Sequence, residues 1–139
     1  MVIADTGFWL ALANRNDAFH AAARVAYQKL TEPLITTWPV MTETCDLLVT
    51  RVGVAAQIKF VQSFVEGAFQ VFDLRTGHAA RLQHLMVQYA DLPMDLADAS
   101  LVILAEHLGH GRILSTDERD FRSYRWKNRR PFENLLITE

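Results

Sequence analysis

Four acids stand where apolar segments end or begin. Asp5 closes the run Val-Ile-Ala (2–4). Glu43 follows Pro-Val-Met-Thr (39–42). Asp98 lies inside the apolar segment 96–108. Asp117 follows Arg-Ile-Leu-Ser-Thr (112–116). Asp95 and Asp120 stand three residues from Asp98 and Asp117. A carboxylate at the border of a core is costly unless it is paired, hydrogen-bonded or neutralised by a metal. No Lys or Arg stands at matching positions, so clustered acids here repel one another until a cation neutralises them. An all-oxygen set suits Mg2+ or Mn2+ and argues against zinc. A hard cation on open carboxylates acidifies a water and offsets charge on an attacked phosphate, which is phosphoryl-transfer chemistry.

Each acid also has a purely structural reading. Asp95 can cap a helix, with Asp98 three residues on as its capping-box partner. Glu43 can complement a helix dipole in a first turn. Asp5 can open a turn in Ala-Asp-Thr-Gly, Asp117 can cap the segment Asp-Glu-Arg-Asp-Phe, and Asp120 can be solvated. Helix geometry separates two of them. At about 100° per residue, Ala97, Leu101, Leu104, Ala105 and Leu108 form one stripe, with Asp98 at its border. Asp95 lies roughly 60° further round. Glu43 likewise borders a stripe of Met41, Cys45, Leu48 and Val52.

The elements that must position these acids follow from periodicity. Strands are expected at 2–4, 33–37, 69–74, 112–116 and 134–138. Helices are expected at 8–13, 16–30 (capped by Asn16 or Asp17), 39–53, 54–67, 77–91 (capped by Thr76) and 96–109, with a short helical turn after Asp117. Strands alternating with helices imply an α/β fold, a mostly parallel sheet of four to five strands covered on both faces. In such sheets ligands bind outside the carboxyl ends of the strands. Asp5 and Asp117 fall at such ends, and the helices carrying Glu43 and Asp98 can start at the same edge.

With 139 residues, half of them apolar and 22% charged, the chain fits one globular domain, 1–139. A net charge of −2 gives no global attraction to nucleic acid. Cys45 is the only cysteine, so an intramolecular disulfide and a four-sulfur zinc site are excluded. The five histidines (20, 78, 84, 107 and 110) are scattered. No apolar run is long enough to span a bilayer and the first residues do not read as a signal peptide, so no membrane role is expected and the cytoplasm is the default compartment.

At the acids the chain resembles PIN-domain ribonucleases, and specifically the VapC toxins of toxin–antitoxin pairs. "ADTGFWLAL" carries Asp5, "VMTETCDLL" carries Glu43, "LPMDLADASLV" carries Asp98 and "LSTDERDF" carries Asp117; "NDAFHAAA" and "PFENLLI" extend the likeness over essentially the full length. The resemblance implies a PIN-like three-layer sandwich and a metal-dependent endoribonuclease. Asp5, Glu43, Asp98 and Asp117 are its catalytic acids, with Asp5, Asp98 and Asp117 as ligands for Mg2+, which Mn2+ can replace. Asp95, Asp120, Thr6 and Ser115 are auxiliary. It implies cleavage by an activated water that leaves a 5′-phosphate and a 3′-hydroxyl, a homodimer, and inhibition by a VapB-like antitoxin. A housekeeping PIN nuclease of RNA maturation and a catalytically inactive PIN-like module are the alternatives; the second predicts lost acids, and all four are present. A haloacid-dehalogenase phosphatase would want an acid two residues after Asp5, where Gly7 stands.

A negative site needs help to hold a polyanion. Segment 119–130 carries six of the chain's fourteen basic residues, interleaved with Phe121, Tyr124 and Trp126. Arg122, Arg125, Lys127 and Arg129 are candidate RNA contacts, against the reading of a solvated loop anchored by Trp126. An antitoxin tail could lie across Phe8, Trp9 and helix 39–52 and push a basic side chain toward the acids. Phe8 and Trp9 could equally be core.

Overall fold

In the computed structural model, which describes residues 1–137, the chain runs β1 (Val2–Ala4), α1 (Thr6–Ala13), α2 (His20–Lys29), β2 (Leu34–Thr37), α3 (Trp38–Arg51), α4 (Val54–Val65) and β3 (Phe69–Phe72). A 3-10 turn (Thr76–His78) leads into α5 (Ala79–Gln88), α6 (Leu96–Leu108), β4 (Arg112–Leu114) and α7 (Glu118–Ser123). The last elements are β5 (Arg125–Trp126), β6 (Arg130–Pro131) and β7 (Glu133–Asn134). Five strands form one parallel sheet in the order β3-β2-β1-β4-β7, with helices on its faces. The chain builds outward from β1 in one direction, then crosses back to add β4 and β7. The reversal makes the carboxyl edge between β1 and β4 a topological switch point, where such sheets bind ligands.

Register explains much of what meets there. Ile3 pairs with Ile113 and Ala4 with Leu114. The residues that follow, Asp5 and Ser115, therefore leave the sheet side by side. Three buried hydroxyls lock neighbouring elements to this edge. Thr36 Oγ1 donates to Ala4 O at 2.8 Å, and Thr37 Oγ1 shares a 2.6 Å hydrogen bond with Ser100 Oγ. Helix α6 is thereby held against the end of β2, with Asp98 half a turn before Ser100.

The core is apolar and dense around β1, β4, α1 and α6, where Ile3, Phe8, Leu101, Leu104 and Ile113 are completely buried. Trp9 is 6% exposed and stacks into an aromatic cluster with Phe69 at 4.5 Å and Phe60 at 5.4 Å. Of the two readings left open for Phe8 and Trp9, the structure realises the core.

Several boundaries differ from the sequence expectation. Helix α2 starts at His20, because Asn14 and Asp17 turn their side chains onto the backbone N–H groups of Asn16 and Phe19 and form turns instead of a cap. Thr76 enters the 3-10 turn, which is capped from Arg75. Val52 is 48% exposed, and the buried Thr44 takes its place beside Met41 and Leu48. The last strand is only Glu133–Asn134, and Thr138 lies outside the described residues. The hairpin β5–β6 was not foreseen. Its loop puts Lys127 and Asn128 at φ of 49° and 61°, a conformation without a glycine to signal it.

Candidate active site

Asp5 is 7% exposed and caps α1: Oδ1 accepts the Thr6 N–H at 2.7 Å, and Oδ2 accepts Ser115 Oγ–H at 2.9 Å. Burial, reinforced by the charges of Glu43 and Asp117, pushes its carboxyl up to about 7 despite those two hydrogen bonds. The Ser115 hydroxyl also accepts the Asp117 N–H at 2.9 Å, so one side chain joins Asp5 to the start of α7. Ser115 is itself clamped by Asn134, whose Nδ2 donates to Ser115 O at 2.9 Å and whose Oδ1 accepts the Ser115 N–H at 3.2 Å. Strand β7 thus braces the loop between Asp5 and Asp117.

Gly7 completes the approach. A Cβ at this position would come within 1.9 Å of Thr116 Oγ1. The missing side chain is what lets α1 pass so close to the loop bearing Ser115 and Asp117.

Asp98 and Asp95 form a reciprocal capping box at the start of α6. Asp95 Oδ1 accepts the Asp98 N–H at 2.8 Å, and Asp98 Oδ2 accepts the Asp95 N–H at 3.3 Å. The structural reading of this pair is therefore realised, but it does not exhaust Asp98. Its carboxyl is pushed up to about 8, first by burial and then by the charges of Asp95 and Asp5. Glu43, in the second turn of α3, is raised by burial and by Asp95. The Thr6 hydroxyl favours the charged form of Glu43, although Thr6 Oγ1 is buried without a partner at full hydrogen-bond geometry among the described residues. Asp117 caps α7 by accepting the Asp120 N–H at 3.2 Å, and Asp120 is raised to about 6 by burial and by Asp117.

The structure therefore brings Asp5, Glu43, Asp98 and Asp117 within reach of one another's charge or of shared neighbours, with Asp95, Asp120, Thr6 and Ser115 among them. No cation figures among the leading influences on Asp5, Glu43 or Asp98. Among the described residues no three His, Cys, Asp or Glu side chains are placed, as they stand, to hold a metal ion together. The acids line an edge.

The basic segment is divided. Arg122 pairs with Glu118 one turn back on α7, and Arg125 donates to the Arg122 and Tyr124 carbonyls. Lys127 lies over the Trp126 ring at 5.8 Å, its N–H donated to Glu106 Oε2, while Arg81 holds both Glu106 and Asn128. Glu106 is eight residues beyond Asp98 on α6, about 12 Å along the axis. The loop carrying Lys127 and Arg129 is thus drawn down the helix, away from the acids. The exposed cation nearest them in the chain is Arg119, between Asp117 and Asp120, where it eases the charge of Asp120. Sequence reasoning put Tyr124 among the aromatics of the basic segment and not at the acids, where its buried hydroxyl donates to Asp98 Oδ2 at 3.2 Å, and it missed Asn134. No local pattern marks either.

No helix among the described residues is long and apolar enough to cross a membrane. The chain is 27% identical over 124 residues to ribonuclease VapC26 of Mycobacterium tuberculosis (strain ATCC 25618 / H37Rv), covering 89% of this chain and 92% of that protein. Its fold matches the crystal structure of M. tuberculosis VapC20, a toxin described as cleaving the sarcin–ricin loop. The TM-score is 0.80 and the identity 21%, over 86% of this chain and 92% of the other. The PIN domain model matches residues 2–127. With four acids gathered at the switch point of a parallel sheet and that match over most of its length, the chain belongs to the PIN-domain family and is similar within it to the VapC toxins.

Proposed function

We propose that this chain is a metal-dependent endoribonuclease, the toxin of a VapBC-type pair. It would act in the cytoplasm as a homodimer of single PIN domains spanning 1–139. The observation that carries the reading is the charge balance at the switch point. Asp5 and Asp98 are pushed to about 7 and about 8 by burial and by other acids, a standing cost that a bound cation would remove. The likeness to proteins named as a ribonuclease and as an RNA-cleaving toxin supports RNA as the substrate.

The residues fit a hard divalent ion. Every donor is an oxygen, and the buried Thr6 Oγ1 is one more without a partner among the described residues. Asp5, Asp98 and Asp117 would hold Mg2+, or Mn2+ in its place. The ion would acidify the attacking water and offset charge on the phosphate. Glu43, raised from its ordinary value by burial, suits the uptake of that water's proton on a carboxylate oxygen. Attack at phosphorus would form the new P–O bond and break the bond to O3′, which would take a proton from solvent water, so the products would be a 3′-hydroxyl and a 5′-phosphate. Ser115 keeps Asp5 oriented while this happens.

A VapB-like antitoxin is the proposed partner. An open trough of about 690 Å3 runs between α1, α2 and α4, with Trp9, Phe60 and Phe69 among its lining and Arg15, Arg24 and Lys59 beside them. Trp9 Nε1 is buried there without a hydrogen-bond partner among the described residues. Apolar contact and positive charge together suit an antitoxin segment that mixes apolar and acidic side chains.

Cleavage of an end-labelled single-stranded RNA tests the proposal. The parent protein is expected to cut it with Mg2+, leaving 5′-phosphates, and to stop in EDTA. Asp5→Asn is expected to be slower by about 100-fold or more, because a ligand itself is altered and even a partner behind a ligand is worth about 10- to 100-fold. Cleavage that ignores EDTA, or an Asp5→Asn protein as fast as the parent, would rule the reading out.

A further inference from the structure

We infer that Tyr124 is a positioning residue for Asp98: its hydroxyl orients the carboxylate and so ties the end of the helix that Asp117 caps to the first turn of the helix of Asp98. The inference rests on the metal-dependent reading proposed above. Tyr124 is fully buried, yet its hydroxyl reaches Asp98 Oδ2 at 3.2 Å across 26 residues of chain. The Asp95 N–H falls on the same oxygen at 3.3 Å. Two donors on one oxygen pin the carboxylate from one side and fix its rotation.

The ring is held as firmly as the hydroxyl. Tyr89 and Phe121 pack edge-on against it at 5.1 and 5.2 Å. Phe121 belongs to α7, and the Tyr124 N–H closes that helix on Asp120 O at 2.9 Å. One residue therefore spans the gap between the helix that Asp117 caps and the one whose first turn holds Asp98. The phenol is the donor in this contact, the carboxylate oxygen the acceptor. Partners behind a metal ligand commonly fix its orientation, and losing one costs about 10- to 100-fold in metal affinity.

Tyr124→Phe removes the hydroxyl and keeps the ring. Tyr89→Phe is the matched control, because the Tyr89 hydroxyl accepts the Arg125 N–H at 3.0 Å and does not touch Asp98. Mn2+ titration of metal-stripped protein, followed by electron paramagnetic resonance, reads the effect without any turnover. Tyr124→Phe is expected to raise the Mn2+ Kd about 10- to 100-fold and to lower kcat with KM for RNA unchanged. Tyr89→Phe is expected to leave the Kd within about twofold of the parent, since no metal ligand loses a partner. An unchanged Kd in Tyr124→Phe, or equal weakening in both variants, overturns the inference. Asp98→Asn separates it from the reading beneath. If the parent binds Mn2+ and Asp98→Asn does not, the metal site stands whatever Tyr124→Phe shows. A parent that binds no Mn2+ removes both.

Discussion

Asp5 caps a helix and sits among other acids, and the two duties pull its carboxyl in opposite directions. Burial wins, and the group is raised from 3.8 to about 7. Between those values the unfolded chain has released a proton that the folded chain keeps, so metal-free stability falls as pH rises through that window. Below about pH 4 both states are protonated and the penalty is absent. Asp98, raised to about 8, pushes the same way and extends the fall to higher pH. At about 1.36 kcal/mol per pKa unit, Asp5 alone costs on the order of 4 kcal/mol as an upper bound. Asp5→Asn keeps the helix cap through Oδ1, and its Nδ2 can donate to Ser115 Oγ. In EDTA its Tm is expected to match the parent near pH 4 and to exceed it by several degrees at pH 8; a parent-like Tm at both pH values would deny the penalty. At this scale the gathering of the four acids at one edge was legible because Asp5 and Asp117 follow strands and Glu43 and Asp98 stand in the early turns of helices. Tyr124 and Asn134 were not, since their contacts are made 26 and 19 residues away and depend on where α7 and β7 come to rest.

Among the elements, the strands and most helices could be read from periodicity because their buried faces decide them. The exceptions have local causes. Asx turns delay α2 to His20, and the β5–β6 loop takes its left-handed conformation at Lys127 and Asn128. In the sequence that loop is continuous with the basic segment 119–130, but the Arg81–Glu106–Asn128 network pulls it along α6. The consequence concerns RNA binding. A single-stranded phosphate contact contributes about 0.7 to the slope of log K against log salt. Arg119, exposed in the first turn of α7, is placed to make one; Lys127 is spent on the Trp126 ring. In an Asp98→Asn background, which preserves the RNA, Arg119→Gln is expected to flatten the slope by about 0.7 and Lys127→Gln by much less. Fluorescence anisotropy across a salt series measures both. Equal slopes for Arg119→Gln and its background would mean that the strand leaves the site by another face.

Across the whole molecule the two candidate surfaces lie at opposite ends of the sheet. The acids gather at the carboxyl edge, beyond Ala4 and Leu114. The trough includes Leu34 and Phe69, the first residues of β2 and β3, so it opens toward the amino edge. Four residues of strand separate the edges by about 13 Å. An antitoxin segment seated in the trough therefore cannot touch Asp98 without about four or more further extended residues at roughly 3.3 Å each. Binding and inhibition should be separable for this reason. With the antitoxin in hand, Arg24→Glu and Lys59→Glu together are expected to weaken the complex by at least about tenfold, or 1.4 kcal/mol, with little change in Tm, because both side chains are exposed. Trp9→Ala is the wrong probe, since removing this core ring costs the fold about 3–5 kcal/mol. Cutting back the antitoxin beyond the trough should leave its affinity for the toxin largely intact, release cleavage, and abolish any competition with Mg2+. Calorimetry with and without Mg2+, run beside the cleavage assay, tells these apart. A shortened antitoxin that still blocks cleavage and still competes with the metal would place its seat on the acidic edge, not in the trough.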